Sequence, residues 1–375
     1  MSQVKEVVAE LSEIAQNPGK QLDKFIQDGK RVIGVSPYHN PEELVYAAGA
    51  IPFGVWGAVG QAIEARQYFP PFYCSICQMS LEMGLTHKLD QLSGMMITTL
   101  CDTLKAFTQN WKAGVQDVPL IFVSQPQNNQ CEAGKEYVLR SYTEVKDKIQ
   151  ECAHHIISDE ELRAAINLYN EWRKAMREFI ELAGKRPTVI SPIERAHVIS
   201  ASYFMDKADH LEKLKELNEA LSQEPESLGD YKPIVLSGIY QDIPAILDLL
   251  EEHKFTAVAD DLAKESRNVA VDVQDTGDAL PDLSAAFSNV EADSLVYDPN
   301  KKHIDKVISL AQDNDAKGIV ILLAKFCDPE EFDAPLIVKA AQEQNIPAVV
   351  IEIDQSTESY EQANTKLETF AEILN

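Results

Sequence analysis

Seven consecutive residues without a polar side chain, Gly318 to Ala324 (GIVILLA), stand between two stretches of helical periodicity. A run this short cannot cross a membrane, which takes about 20 apolar residues. With β-branched residues inside it and helical patterns on either side, it reads as a strand buried on both faces of a parallel sheet. It runs out into Lys325-Phe326-Cys327-Asp328-Pro329. That places a thiol just past the carboxyl end of a central strand, where open α/β sheets gather their chemistry. Parallel neighbours need crossover helices, and this requirement organises the rest of the chain.

The pattern recurs in both halves. In the first, Arg31–Ser36, Ala50–Trp56, Gly94–Leu100 and Leu120–Val123 read as strands. They are preceded by an amphipathic helix at the N-terminus and a second at Leu22–Asp28. Pro41 is expected at the first position of a helix, PEELVYAAG, with Gly49 as its C-cap. Tyr73–Gly84 carries Cys74 and Cys77 into a further helix. A helical region follows. Ser158-Asp159-Glu160-Glu161 has the form of a capping box, and apolar residues recur at helical spacing to Gly184. Further helices are expected at about Ile193–Met205 and at Ala208–Ser222, and the polar stretch Gln223–Lys232 reads as a linker.

In the second half, Pro233–Ser237, Phe255–Ala259, Gly318–Ala324 and Ile346–Ile353 read as strands, with Asp260-Asp261 placed after the second. Helices are expected at IPAILDLLEEH, His303–Gln312, Phe332–Gln344 and Glu358–Leu374. The fold class is α/β: two doubly wound domains with four-stranded parallel sheets, plus N-terminal and inter-domain helices. The expected divisions are residues 1–155 for the N-terminal helices and first α/β domain, 156–230 for a helical connection, and 231–375 for the second α/β domain. The third strand of each half ends in Cys-Asp, at Cys101-Asp102 and Cys327-Asp328. If the domains face each other across a cleft, those ends converge.

Composition narrows the function. A formal charge of −26 argues against nucleic acid, because phosphate binding needs clustered Lys and Arg. The N-terminal helix carries acidic residues and lacks the charged-then-apolar layout of a leader, so a cytoplasmic protein is expected. Six cysteines in such a chain suggest metal or redox use more than a disulfide framework.

Cys101, Cys327 and the Cys74-x-x-Cys77 segment could supply three thiolates around one cleft. Thiolates select zinc, cuprous copper or iron–sulfur clusters. Structural zinc normally takes two tight ligand pairs, and the second pair is missing. A cluster with three protein thiolates and one open iron fits better, although buried cysteines are also common core residues. Cys77 has a spacing that suits a ligand, but Cys74 lies nearer the start of the helix. Cys131 and Cys152 read as bystanders. Glu42 and Glu43, in the first turn of a helix, read as structural, as do His154, His155 and His197. Gly238 lacks any surrounding glycine-rich phosphate motif. The aromatic run Gln67–Tyr73 either shields the thiols or simply packs.

These residues resemble the 2-hydroxyacyl-CoA dehydratase family, which also contains benzoyl-CoA reductase subunits. The likeness is carried by RVIGVSPYHNPEELVYAAGAIPFGVWG, Cys74, Cys101-Asp102, VADDLAKESR (Val258–Arg267), KFCDP (Lys325–Pro329) and QANTKLETFAEIL. It spans nearly the whole chain and is strongest to the smaller, beta-type subunits. It implies two flavodoxin-like domains, a heterodimer with a homologous larger (alpha) subunit, and a [4Fe–4S] cluster on Cys74, Cys101 and Cys327. Cys77 departs from the family pattern. Asp102 and Asp328 are expected to cap or support the ligands.

The implied activity is a hydro-lyase of anaerobic amino-acid fermentation, leucine fermentation in this case. Water is eliminated from an (R)-2-hydroxyacyl-CoA, here (R)-2-hydroxyisocaproyl-CoA, to give the 2-enoyl-CoA through a ketyl radical. The β-proton is too weakly acidic for an acid/base pair alone. An ATP-dependent iron–sulfur activator supplies one electron, which this subunit passes to the partner subunit, where the acyl-CoA mainly binds. Two other readings stay open: a benzoyl-CoA reductase-type subunit, and a non-enzymatic two-lobed ligand-binding protein without iron.

Overall fold

The computed structural model describes residues 2–374. The chain opens with helices α1 (Gln3–Gln16) and α2 (Pro18–Gln27) and enters strand β1 (Val32–Val35). Then come α3 (Glu42–Ala47), β2 (Ile51–Gly54), α4 (Ser75–Leu85), β3 (Gly94–Thr98), α5 (Asp102–Gly114) and β4 (Leu120–Val123). Four helices follow: α6 (Glu132–Ala153), α7 (Asp159–Gly184), α8 (Pro192–Ala201) and α9 (Lys207–Ser222). The second sheet is built from β5 (Lys232–Gly238), α10 (Pro244–Glu252), β6 (Phe255–Leu262), α11 (Ala279–Ser288) and α12 (Lys302–Asp313). It is completed by β7 (Gly318–Ala324), α13 (Asp328–Glu343), β8 (Ala348–Ile353) and α14 (Glu361–Ile373). No helix among the described residues is long and apolar enough to cross a membrane.

Both sheets are four-stranded and wholly parallel, and they share one topology. The strand orders are β2-β1-β3-β4 and β6-β5-β7-β8. β1, β3, β5 and β7 are enclosed on both faces, as their apolar sequences require. Each order reverses between its two central strands, so the loops after β1 and β3, and after β5 and β7, are topological switch points. Gly238 ends β5 at such a point with φ +141°, and a side-chain carbon there would collide with the Leu322 carbonyl oxygen.

Three apolar clusters form the interior. One is continuous from the first sheet (Ile33, Met96, Ile121) to one face of the second (Leu236, Leu322, Ile351). Another fills the outer face of the second sheet beneath α12 and α13. The third packs α1 against α7, α8 and α9.

Several helix starts obey local rules. Ser158 and Glu161 close the expected capping box, and Ser191 with Glu194 forms a second one in front of Pro192. Four expectations are corrected. Pro41 is the N-cap of α3 rather than its first helical residue. Asp260 and Asp261 lie inside β6, which runs three residues further than its apolar pattern suggests because buried cations receive both carboxylates. α13 starts at Asp328, not Phe332, since Pro329 and the acidic first turn (Asp328, Glu330, Glu331) favour a helix there. Helices α5 and α11 lie outside the helical segments expected from the sequence pattern.

Candidate thiol site between the sheets

Three helices begin at the carboxyl ends of strands or loops that face one another, and each has a cysteine as its N-cap. Cys74 precedes α4, Cys101 precedes α5 and Cys327 precedes α13. Cys101 and Cys327 occupy the switch-point loops of the two sheets. The three residues line one cavity of about 300 Å³, with Leu100, Phe326, Pro329 and Phe332 as apolar wall and Asp102, Thr103 and Gln127 as polar wall. The expected convergence of the two Cys-Asp strand ends is therefore present in the structure, and Cys74 joins them.

The other cysteines are placed differently. Cys77 is buried in the first turn of α4, behind Cys74, and does not line the cavity. Cys131 is exposed as the N-cap of α6, and Cys152 lies near the other end of that helix, its sulfur against Gly94.

The thiols are not equivalent. The neighbouring Cys77 thiol holds the Cys74 pKa below the usual thiol range. The same proximity, with burial, pushes Cys77 well up. Burial and the neighbouring Cys74 push Cys101 up to about 12, against the hydrogen bond its sulfur accepts from the Leu104 N–H at 3.4 Å. Burial and the Glu330 carboxylate raise Cys327 well above its ordinary value. Thiols raised in this way are poor nucleophiles on their own. A bound metal removes the penalty, because coordination deprotonates a thiol outright.

Among the described residues, no group of three His, Cys, Asp or Glu side chains is drawn tightly enough to hold a single metal ion. One tetrahedral zinc would need every sulfur about 2.3 Å from a common point.

The backbone that aims Cys327 is strained. Phe326 adopts φ +63°, a left-handed conformation unusual for a bulky residue, and its N–H donates to Glu331 Oε1 at 3.0 Å. The loop after β1 behaves alike, with Tyr38 at φ +77° and His39 at φ +53°. Such conformations cost of order 1–3 kcal/mol each and persist where surrounding contacts over-determine them.

Those contacts form a buried charge network that the sequence does not advertise. Arg267, 1% exposed at its side chain, donates to Asp261 Oδ2 (2.7 Å), Glu330 Oε1 (2.8 Å) and Ser294 Oγ (3.1 Å). It also lies 3.6 Å from Asp293, which accepts from the Tyr38 hydroxyl. His303 bridges Asp261 (2.7 Å) and Asp333 (2.9 Å). Burial lowers its pKa, but the two carboxylates outweigh that and raise it to about 9. Lys306 reaches Asp261, and Lys301 reaches Asp333. Arg267, His303, Lys301 and Lys306 thus balance Asp261, Asp293, Glu330 and Asp333.

The VADDLAKESR stretch supplies much of this framework. Besides Asp261 and Arg267, its Asp260 and Glu265 receive Arg195 of α8, and its Lys264 pairs with Asp242. The density of charge beside an apolar strand was the available signal. The partners, up to 70 residues away, are not readable from the sequence.

Asp102 is not a cap. Cys101 itself accepts the N-terminal N–H of α5, while the Asp102 side chain is 84% exposed and meets Lys105 at 3.1 Å. Glu43 binds Arg173, and Glu42 lies 3.4 Å from the buried Lys207, in keeping with a structural reading of both carboxylates. His155 binds Glu161 at the start of α7.

Fold and site together define a class: α/β chains with two parallel sheets whose switch points bring a set of half-buried thiols together. Residues 37–374 match the model of a family described as 2-hydroxyglutaryl-CoA dehydratase, D-component. The chain belongs to this family of dehydratase subunits. It is 41% identical over 98% of its length to (R)-2-hydroxyglutaryl-CoA dehydratase subunit beta of Acidaminococcus fermentans, covering 99% of that protein. To the (R)-phenyllactyl-CoA dehydratase beta subunit of Clostridium sporogenes it is 40% identical over 97% of its length, covering 98% of that protein. To lactoyl-CoA dehydratase subunit beta of Anaerotignum propionicum it is 37% identical, with both chains fully covered.

Proposed function

We propose that this chain is the iron–sulfur beta subunit of a heterodimeric 2-hydroxyacyl-CoA dehydratase, a hydro-lyase, with a [4Fe–4S] cluster on Cys74, Cys101 and Cys327. The observation that carries the reading is the meeting of three thiols, from three separate helix N-termini, on one cavity in a chain of this family. The donor set is all sulfur, which selects iron–sulfur or other soft-metal groups. When bound, the cluster supplies one-electron transfer at low potential.

The residues of this chain hold and tune it. Helix N-termini turn their positive ends towards the three sulfurs. The Leu104 N–H donates to Cys101, and donors to sulfur help set the potential. Leu100, Phe326 and Pro329 keep part of the wall apolar.

In this reading, the electron comes from an ATP-dependent iron–sulfur activator and leaves for the larger, homologous alpha subunit. That subunit binds most of the (R)-2-hydroxyacyl-CoA and eliminates water to the 2-enoyl-CoA. Relatives named for glutaryl, phenyllactyl and lactoyl groups match at 41, 40 and 37%, so similarity of this subunit does not select an acyl chain. (R)-2-Hydroxyisocaproyl-CoA is our proposed substrate.

The test is anaerobic purification with iron analysis, then reconstitution with the partner subunit and activator. A brown, iron-bearing chain that loses its iron in Cys74→Ser, Cys101→Ser and Cys327→Ser, but keeps it in Cys131→Ser and Cys152→Ser, is expected. Colourless protein that resists reconstitution refutes the cluster. Reduction of benzoyl-CoA without dehydration of (R)-2-hydroxyisocaproyl-CoA refutes the activity.

A further inference from the structure

The thiol site draws Cys74 and Cys101 from the first sheet's surroundings and Cys327 from the second sheet. Its geometry therefore depends on what fixes one sheet against the other at that end. Several polar ties do so, among them the Gln355 side-chain amide on the Trp56 carbonyl and Gln61 on the Ser356 carbonyl, and two bear most directly on the thiols. The Ser75 Oγ, next to Cys74, accepts from the Gln355 N–H after β8 at 3.1 Å. The other tie is centred on Arg267. Its guanidinium binds Glu330, one turn into α13 from Cys327, and lies against Asp293, which holds Tyr38 in the strained loop after β1. That loop shares the first sheet's switch point with the segment bearing Cys101.

We infer that Arg267 is a positioning residue for the thiol set. By joining Glu330 to the Tyr38–Asp293 pair, it fixes where Cys327 stands relative to Cys101; the inference rests on the cluster-bearing reading above.

Three features of the arrangement support the inference. Arg267 contacts the second sheet through Asp261, α13 through Glu330, and the first sheet's loop through Asp293, so one rigid planar group spans all three. A lysine at the same place presents a single ammonium and cannot reach these partners in the fixed directions of a fork. Ser294 hydrogen-bonds the same Glu330 oxygen at 2.6 Å, which leaves the first turn of α13 little freedom. Finally, Phe326 holds a left-handed conformation directly before Cys327, which requires a firm anchor on the other side of that cysteine. Glu330 is that anchor.

The test uses the full chain, first free of metal. Timed alkylation by iodoacetamide, read by peptide mass spectrometry, compares Cys327, Cys101 and Cys152 in wild type, Arg267→Lys and Glu330→Gln. Expected is a rise of at least fivefold in the Cys327-to-Cys101 rate ratio for Arg267→Lys, and of at least twofold for Glu330→Gln, with Cys152 unchanged. The same variants, reconstituted anaerobically, are expected to bind half as much iron or less, and to show an altered electron paramagnetic resonance spectrum when reduced.

An unchanged ratio in folded variants overturns the inference. So does equal acceleration of all three cysteines, which signals general loosening. If Arg267→Lys fails to fold, Tyr38→Phe decides by the same alkylation ratio, because it breaks the link to Asp293 and leaves every charge near Cys327 in place, whereas Glu330→Gln also removes the carboxylate that raises the Cys327 pKa. The metal-free readout separates the two hypotheses. Wild type that never binds iron sinks the cluster reading and leaves the alkylation result standing by itself.

Discussion

The two switch points carry the same dipeptide at the same place in the same topology, yet they are built from different materials. At the first, Cys101 is an extended N-cap whose sulfur accepts an amide hydrogen, and the strand ends around it are joined by neutral groups, with charge reaching this switch point only through Asp293 at Tyr38 and His39. The Thr98 N–H donates to Ser36 Oγ, and the Gln125 N–H to Thr99 Oγ. At the second, Cys327 follows a left-handed residue, makes no side-chain cap, and rests on a balanced network of buried charges. A recurring sequence signal therefore fixes location but not environment. Neutral hydrogen bonds contribute about 1 kcal/mol each, whereas a buried ion pair broken on one side costs several.

That contrast can be broken most severely at Arg267. Replacing it with Met leaves Glu330 with only the Ser294 hydroxyl and takes one cation from Asp261 and Asp293, and should cost about 3–5 kcal/mol in urea unfolding followed by circular dichroism. A loss under 1 kcal/mol would mean the network relaxes into solvent. The next effect is on pH. His303 has its pKa raised from 6.5 to about 9, so it takes up a proton on folding. Its contribution is fully present below pH about 6.5 and is lost as pH rises through about 9, a change of order 3 kcal/mol. Melting temperatures measured from pH 6 to 10 should fall across that window in wild type, and the slope should flatten in His303→Gln.

At the neutral end, Ser36→Ala should cost only about 1–2 kcal/mol, the price of one buried amide left without an acceptor. A loss matching that of Arg267→Met would erase the distinction between the two ends. Smallest is Asp102→Asn. Its exposed pair with Lys105 predicts a change within about 0.5 kcal/mol and no loss of bound iron.

How much of this was legible in the sequence follows the range of the interactions. β4, β7 and α7 begin and end where periodicity and the capping box place them, because strand burial and helix capping are local. α5 offered apolar residues at Leu104, Phe107 and Trp111, but its start was obscured by the apolar run of the strand before it. In α11, Pro281 and the small residues disguise the pattern. Cys74, Cys101 and Cys327 could be singled out from the ends of elements and from family likeness. Their unequal electrostatics could not, since these depend on Cys77 behind one sulfur, Leu104 beside another and Glu330 under the third. Arg267, His303 and Asp293 were invisible as a set because nothing along the chain says which charges are buried together.

The continuous apolar interior and the Tyr38–Asp293 bond have a consequence for the order in which the protein forms. The first sheet is complete once Val123 has been synthesised, but Cys327 and the partner of Tyr38 emerge roughly two hundred residues or more than a hundred and fifty later. Contacts of such long sequence separation close late. A nascent chain therefore carries Cys74 and Cys101 on a formed sheet whose loop after β1 has nothing yet to hold it. On the proposed cluster reading, metal delivered during translation would meet only two of the three thiols, and loading would belong to the finished chain.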